Sequence, residues 1–398
     1  MLRHRRLLAF EAVCRFGSAL KAAEHVHMTQ PSITAAIAGL EDETGARLFE
    51  RTSRGMSPTS EGRALHARVE AALSHLKDAE LMIAARRPGL PRIPLHRLIS
   101  EGQIRALSAV VENGGFSEGA RRLGLAQPSV HRAVRDLETL CGIPLFRQKA
   151  EATPEARELS RHCTLYRAEL ALGLDEIHEI QGVVEGTVTV GALPLARAGW
   201  LPDAVAATLA TYPLARIRII DGPYEAQLYG LMHGEIDFIL GALRPSIPKQ
   251  VEQFPLFDDA LSIVVRADHP FAVDFDSAHD KLTPPQLDSL SWILPRPDTP
   301  GRQVFDRFMF NKGLTPPVRV IECASVVATR AILLRTDHAA LLSARQVEHE
   351  IAQGLLKIMG PPLTGSSRTF GLTLRRGFRP TTLHKHLLSQ LETDVADL

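Results

Sequence analysis

No run of apolar residues in this sequence approaches the roughly 18–20 that a membrane-spanning helix needs, so no membrane partner is expected. Nor is there an excess of charge of one sign. Lys and Arg number 46 against 45 Asp and Glu, a formal net charge of +1. A whole-chain basic footprint for nucleic acid is missing, and any such surface has to be local. Cysteines are few: Cys14, Cys141, Cys163 and Cys323. None stands at a metal-ligand spacing such as CxxC, which leaves buried reduced thiols as the plain reading. Catalytic signatures are lacking too, with no GxGxxG after the first strand, no P-loop and no GxSxG elbow. His25 with His27, and His384 with His386, form HxH pairs, but no Cys or carboxylate cluster completes a metal site. No enzyme activity, metal or cofactor is expected. The start, MLRHRRLLAFEAVC, imitates an export signal, yet Glu11 and Arg15 interrupt it and no small-residue cleavage site follows. The chain reads as cytoplasmic.

What the sequence does have is an internal repeat. Sliding the chain against itself by 97 residues aligns Leu7–Phe49 with Ile104–Phe146 without a gap. Gly17 falls on Gly114, Ala23 on Ala120 and Gln30-Pro31-Ser32 on Gln127-Pro128-Ser129. Leu40-Glu41 falls on Leu137-Glu138, Gly45 on Gly142 and Leu48-Phe49 on Leu145-Phe146. Two copies are too few for a solenoid, so this is a duplicated small domain. Its spacing predicts three short helices. In the first copy Leu7, Phe10, Val13 and Cys14 recur at helical intervals before Gly17, and Leu20, Ala23 and Val26 line a second helix. Thr29 or Gln30 caps a third, with Pro31 just inside its start and a stripe of Ile33, Ala36, Ile37 and Leu40. Leu48–Pro58 then reads as a two-stranded wing.

Each copy carries AA or GA, QPS, LE, G and LF at fixed offsets over about forty residues. The first reads FGSALKAAEHVHMTQPSITAAIAGLEDETGARLFERTSRGMSPTSEG and the second GGFSEGARRLGLAQPSVHRAVRDLETLCGIPLF. Both resemble the amino-terminal domain of LysR-type transcription regulators, which implies two winged helix-turn-helix units, 1–60 and 100–154, binding double-stranded promoter DNA. The residues agree with that. A helix offering Gln30, Ser32 and Thr34 at its amino end suits base edges in the major groove. In the family the third helix usually carries arginines and the wing carries more. The first copy keeps Arg51 and Arg54 in its wing but has Ala35, Ala38 and Gly39 on the helix. The second copy adds His131, Arg132 and Arg135 to Gln127 and Ser129, while its shorter wing holds Glu151. The expectation is a division of labour, with the alternative that one copy is only a spacer.

Two long helix-favouring stretches follow the copies. The first, 61–86, has Leu65, Val69, Leu73, Leu76 and Leu81 near heptad spacing, and the second, 155–181, has Leu159, Tyr166, Leu170, Leu174, Ile177 and Ile180. In the family such a helix pairs two protomers, so a homodimer or tetramer is expected; the alternative is a stripe packed on its own domain. Between them the Pro-rich segment 87–99 reads as an irregular linker.

From Gly186 strands and helices alternate, which argues for parallel α/β sheets. VEGTVTVGALPLA, HGEIDFILGALR and PLFDDALSIVVRADHP resemble the LysR-type effector domain, itself shaped like periplasmic solute-binding proteins. The implied domain is 185–398, with subdomain I at 185–264 and 366–398 and subdomain II at 265–365. Leu261–Arg266 and Thr369–Leu374 read as the crossings. A small-molecule effector, a sugar or an aromatic-catabolism acid, is expected between the subdomains at strand carboxy ends. That places Leu193, Pro194, Leu195 and Ala196 at the site with Gly241, Ala242, Thr299 from the Asp298–Gly301 loop, and Ser325. The first of these loops lacks the Ser or Thr that many family members place there, which leaves Thr299 and Ser325 to supply hydroxyls. RNA polymerase is a possible further partner. A ligand-binding module or an α/β enzyme without a DNA-reading role stays open as the alternative.

Overall fold

Glycines at positive φ cut the amino-terminal half into short helices. Gly17, Gly45, Gly124 and Gly142 each close one in the left-handed conformation, which costs glycine no Cβ clash. The computed structural model describes residues 2–52, 55–147, 151–277, 279–297 and 299–396. Its first three-helix unit holds α1 (His4–Phe16), α2 (Ala19–Val26) and α3 (Gln30–Thr44). The hairpin of β1 (Phe49–Thr52) and β2 (Gly55–Pro58) and the long α4 (Ser60–Ala85) follow. After α5 (Leu95–Leu98) the second unit holds α6 (Glu101–Glu112), α7 (Phe116–Leu123) and α8 (Gln127–Cys141), and leads into α9 (Pro154–Ile180). The linker is therefore not irregular throughout. Leu95 enters the core and the His96 N–H donates to Glu80 at 2.7 Å, which holds one helical turn in place. The second wing is reduced, among the described residues, to one antiparallel bridge between Phe146 and Ala152.

α4 and α9 lie antiparallel against each other. Arg86 meets Glu155 at one end (2.9 Å), and Arg68 meets Glu169 (2.8 Å) and Glu176 (2.6 Å) toward the other. Leu65, Leu73 and Leu76 of α4 and Leu159, Tyr166 and Leu170 of α9 share one buried core with both three-helix units. Cys141 and Cys163 lie unpaired in that core. The two long helices pack on each other within the chain, the arrangement that the alternative reading, a stripe packed on its own domain, expects. Most of each stripe is covered within the chain, where tethering keeps the partner at high effective concentration, while Leu81 of the first and Ile180 of the second stay exposed.

The carboxy-terminal half begins with β3 (Gly186–Ala192), α10 (Trp200–Thr211), β4 (Ala215–Ile220), α11 (Tyr224–Met232), β5 (Phe238–Ala242) and β6 (Val251–Asp259). Then come β7 (Leu261–Arg266), α12 (Pro284–Ser289), β8 (Ser291–Leu294), α13 (Pro300–Asn311), β9 (Val320–Glu322) and α14 (Val326–Leu333). It ends with β10 (His338–Ser343), α15 (Glu348–Ala352), β11 (Leu356–Ile358), β12 (Arg368–Arg375) and α16 (Thr382–Ala396). One sheet has the order β4-β3-β5-β12-β6, the other β11-β7-β10-β8-β9. In the first, β3 runs parallel to β4 and β5 while β12 is antiparallel to β5 and β6. The expected boundary at 264/265 moves. Leu261–Arg266 pairs with β10 and β11 as a full strand of the second sheet, and Thr369–Leu374 belongs to the first. The crossings are Ala260 and 359–367. An apolar run shows that a strand is buried, not which sheet buries it. Among the described residues no helix is long and apolar enough to cross a membrane.

Candidate nucleic-acid interface and effector cleft

Thr29, rather than Gln30, caps α3. Its Oγ1 accepts from the Ser32 N–H at 3.3 Å and lies 2.8 Å from the Ser32 hydroxyl. Gln30, Ser32 and Thr34 are exposed on the first turns, with the Thr34 hydroxyl donating to the Gln30 carbonyl at 3.2 Å. Ala35 and Ala38 continue this exposed face. Gly39 is covered by Arg6, whose Nη1 donates to its carbonyl (2.5 Å) and pairs with Glu43 (2.7 Å). A Cβ at Gly39 would sit 2.4 Å from that guanidinium, so the position stays small because α1 brings a cation over it. Arg51 belongs to β1, but its side chain, like the whole of Arg54, lies outside the described residues.

The second unit is built differently at the same place. Ala126 caps α8 without a side-chain acceptor, and the Ser117 hydroxyl donates to Gln127 Oε1 at 3.2 Å, tying α8 to α7. Gln127, Pro128, His131, Arg132 and Arg135 line one shallow groove, with Ser129 exposed beside it. The His131 ring packs on Phe116 (centroids 4.9 Å apart), which rests on Phe146 (5.1 Å). Arg132 reaches Asp136 only at 3.9 Å, both largely exposed, a pairing worth little in water. Its guanidinium can therefore turn to another anion.

Two residues of the repeated pattern had no role in the sequence reading. Glu41 Oε1 accepts the N–H groups of Leu48 (2.8 Å) and Phe49 (3.4 Å), and Glu138 Oε1 accepts those of Leu145 (2.8 Å) and Phe146 (3.1 Å). One carboxylate thus satisfies two loop donors in each unit, which is why Leu-Glu and Leu-Phe recur together.

In the carboxy-terminal half the parallel strands β3 and β5 end at the edge where β6 and β12 meet the crossings. Ala242 pairs with Phe370, and Asp259 with Arg368. Leu193–Ala196 and Gly241–Ala242 lie here. The Leu193 N–H donates to Leu240 O (2.9 Å), and its side chain lies over Gly241, where a Cβ would come within 2.3 Å of it. Leu195 and Ala196 are buried, while Pro194 is exposed. The turn Ala196–Ala198 touches the turn Ala344–Val347 of the other subdomain. Thr299 and Ser325 serve as helix caps. Thr299 accepts from the Arg302 N–H (3.4 Å) and donates to Arg296 O (2.8 Å), and Ser325 accepts from the Ala328 N–H (3.3 Å). Asp298 lies outside the described residues.

The cations of this cleft were missed in the sequence because three separate segments supply them. Arg244 lies over the Tyr224 ring (4.5 Å), Arg345 over Phe257 (4.3 Å) and Arg368 over Phe370 (5.0 Å). Phe257 and Phe370 stack with planes 8° apart. Asp259 pairs with Arg368 (3.4 Å) and accepts from the Ser343 hydroxyl, joining the two sheets at the crossing. Burial, with Arg244 close by, lowers the proton affinity of Arg368 although Asp259 opposes this.

Among the described residues one trio could hold a metal ion: His75 and Asp78 on α4 with His162 on α9, ligand atoms within 4.8 Å of one another. Burial and the neighbouring Arg161 push the His162 pKa down to about 4, and that guanidinium, 3.3 Å from its Nε2, opposes a cation there.

Short helical units ahead of an α/β half of two joined sheets define a class: DNA-binding regulators with a ligand-sensing domain. Residues 4–63 and 102–157 match the family described as bacterial regulatory helix-turn-helix protein, lysR family. Residues 181–396 match the LysR substrate binding domain. The chain belongs to the LysR family of DNA-binding transcriptional regulators. It is 33% identical over 373 residues to the HTH-type transcriptional regulator GalR of Pseudomonas putida, covering 93% of this chain and 91% of that protein. It is 26% identical over 284 residues to the HTH-type transcriptional regulator PcaQ of Agrobacterium fabrum, covering 70% and 88%. Full-length OxyR from Pseudomonas aeruginosa shares the fold, with a TM-score of 0.51 at 20% identity, over 74% of this chain and 98% of that one.

Proposed function

We propose that this cytoplasmic regulator reads promoter DNA with both three-helix units and responds to a small aromatic carboxylate held between its two α/β subdomains. The amino ends of α3 and α8 enter the major groove, with Gln30, Ser32 and Thr34 on one and Gln127, Ser129, His131, Arg132 and Arg135 on the other. Arg51 and Arg54 add phosphate contacts from the first wing. The effector sits against Leu193–Ala196, Gly241 and Ala242, with the subdomains closing on it as in solute-binding proteins, and the response reaches RNA polymerase.

One observation carries the effector class: Arg244, Arg345 and Arg368 each lie on an aromatic ring at the cleft edge. Guanidinium groups pair with carboxylate, and ring faces accept a flat ligand. A sugar fits less well, because the Thr299 and Ser325 hydroxyls already cap helices. Thermal-shift titration with benzoate-type acids, neutral aromatic alcohols and sugars tests this. An acid at about 100 times its Kd should add ~2.7 kcal/mol of stability, and Arg345→Gln should remove the effect. Stabilisation by sugars but not acids would reverse the assignment. Gel shifts with the DNA upstream of the gene test the reading of the units.

A further inference from the structure

The seam between α4 and α9 supports a conclusion that rests on both units binding DNA and goes beyond it. The two helices are themselves repeats, in a register that differs from that of the units. Their caps, Thr59 and Thr153, stand 94 residues apart rather than 97, because the second wing is three residues shorter. In this register Leu65 matches Leu159, Leu76 matches Leu170 and Ile83 matches Ile177, and all six are buried.

The buried polar positions break the likeness. Arg68 is fully buried. Its Nη1 donates to Glu169 (2.8 Å), its Nη2 to Glu176 (2.6 Å) and to the Arg379 carbonyl (2.6 Å), and its Nε to Glu176 (3.1 Å). The residue matching Arg68 on α9 is His162, and those matching Glu169 and Glu176 on α4 are His75 and Met82. His162 accordingly lies near His75 on the other side of the seam, its Nδ1 without a partner among the described residues. Two α4 helices paired in this register would place each buried Arg68 against His75 and Met82, with no carboxylate, a strongly unfavourable arrangement. Two α9 helices would set Glu169 and Glu176 against His162 and leave them without the guanidinium. Only α4 with α9 satisfies every charge.

We infer that this seam closes within one chain and makes a single chain a complete two-headed DNA reader, for a duplex whose two half-sites differ in sequence. The difference follows from the outer faces. Ala35 and Ala38 on α3 stand where α8 presents Arg132 and Arg135, and arginine is the residue that pairs in a bidentate way with guanine. The half-site under α8 is the guanine-bearing one. A shared core holding both units against the seam fixes the spacing between the heads.

Two measurements on the full chain test this. In a variant with Cys14 and Cys323 changed to Ser, Arg86→Cys and Glu155→Cys place thiols on an ion pair that closes at 2.9 Å. A short bis-maleimide should then give a product of single-chain mass on a denaturing gel at every protein concentration. A covalent dimer would mean that α4 pairs with α9 of a second chain, and closure within the chain would be wrong. The second measurement selects duplexes from a random-sequence pool with the full chain and weighs the complexes by native mass spectrometry. One chain per pair of half-sites is expected. The two halves should be unlike, and a duplex made from two copies of either half should bind on the order of tenfold or more weaker. Two chains per pair, or equal binding of a symmetrised duplex, would overturn the inference and leave DNA reading intact. A chain that selects no duplex would overturn the DNA reading itself.

Discussion

The two three-helix units share a scaffold down to single hydrogen bonds and part where a duplex would touch them. Glu41 and Glu138 make the same two-donor clamp, and Gly45 and Gly142 close the same helix at the same φ. On the outer face the exposed Gln-Pro-Ser opening of the third helix is kept, and the positions that follow it differ. Thr34, Ala35, Ala38 and Gly39 of the first unit stand where the second has His131, Arg132, Arg135 and Asp136. Arg6, which covers Gly39, stands where the second unit has Gln103, spent on a capping box with Ser100. Duplication kept the carboxylate clamp and the closing glycine in both units, while the side-chain cap and the later outward positions of the third helix have diverged. The long helices repeat the lesson in part, since Leu65, Leu76 and Ile83 have apolar matches in Leu159, Leu170 and Ile177 while Arg68 answers to His162.

The largest expected effect breaks that last match. Arg68→Met leaves Glu169 and Glu176 without their cation and should destabilise the helical half by about 3–5 kcal/mol. His162→Met at the matching place replaces a neutral imidazole with an unpartnered nitrogen, so a change within about 1 kcal/mol of zero is expected. Chemical denaturation of both variants checks this, and equal losses would contradict the unequal roles assigned to the two sides. Next in size are the clamps. Glu41→Gln and Glu138→Gln each weaken a charged acceptor of two N–H groups and should cost about 1.5–3 kcal/mol, alike in the two units. A clear difference between them would show that the scaffolds have diverged too.

The reading faces should respond unequally. Arg132→Ala should lower discrimination at one base pair by about 1–3 kcal/mol, whereas Arg54→Ala should weaken all sequences alike and flatten the salt dependence. If Gln30→Ala abolishes operator preference while Arg132→Ala spares it, the first unit is the specific reader.

At neutral pH the smallest effect is that of His162, and it emerges only on acidification. His162 falls from an unfolded value near 6.5 to about 4 in the folded chain. Protonation therefore favours unfolding. The stability that the neutral ring contributes is complete above about pH 6.5 and is lost as pH drops toward 4, by up to roughly 1.4 kcal/mol per unit. Burial moves His4 and His75 in the same direction, and Asp175, raised by burial to about 6, opposes them. The difference between wild type and His162→Met isolates the one residue. Parallel pH profiles would show that His162 does not titrate in this way.

Much of this molecule was legible as residues. The repeat showed because α3 and α8 bury stripes at identical spacing, and the alternation after Gly186 showed because β3, β4 and β5 are parallel with helices between them. The seam was not legible in the same way. A stripe such as Leu65 to Leu76 says that a face is covered and leaves open what covers it, and the shorter second wing hides the register that relates the two helices. The readable signal was Arg68 inside an apolar stripe, which asks for acids on the covering helix. Glu169 and Glu176 answer it. At the cleft the backbone positions Leu193–Ala196 and Gly241 could be placed from strand ends. Arg244, Arg345 and Arg368 could not, because only the crossings at Ala260 and 359–367 bring their segments together.

The central claim is that the two unlike heads of one chain sit on one duplex at separate half-sites. Glu24 and Arg121 occupy matching exposed positions on α2 and α7. An iron chelate tethered at Glu24→Cys in one variant and at Arg121→Cys in another, with Cys14 and Cys323 changed to Ser, cleaves the DNA nearest each head. The account predicts two distinct cut clusters on a selected duplex, one per variant, about 34–36 Å or a multiple of that apart, with the Arg121→Cys cuts at the guanine-bearing half. Cuts by both variants at the same positions, or no cutting from one head while the protein stays bound, would contradict it.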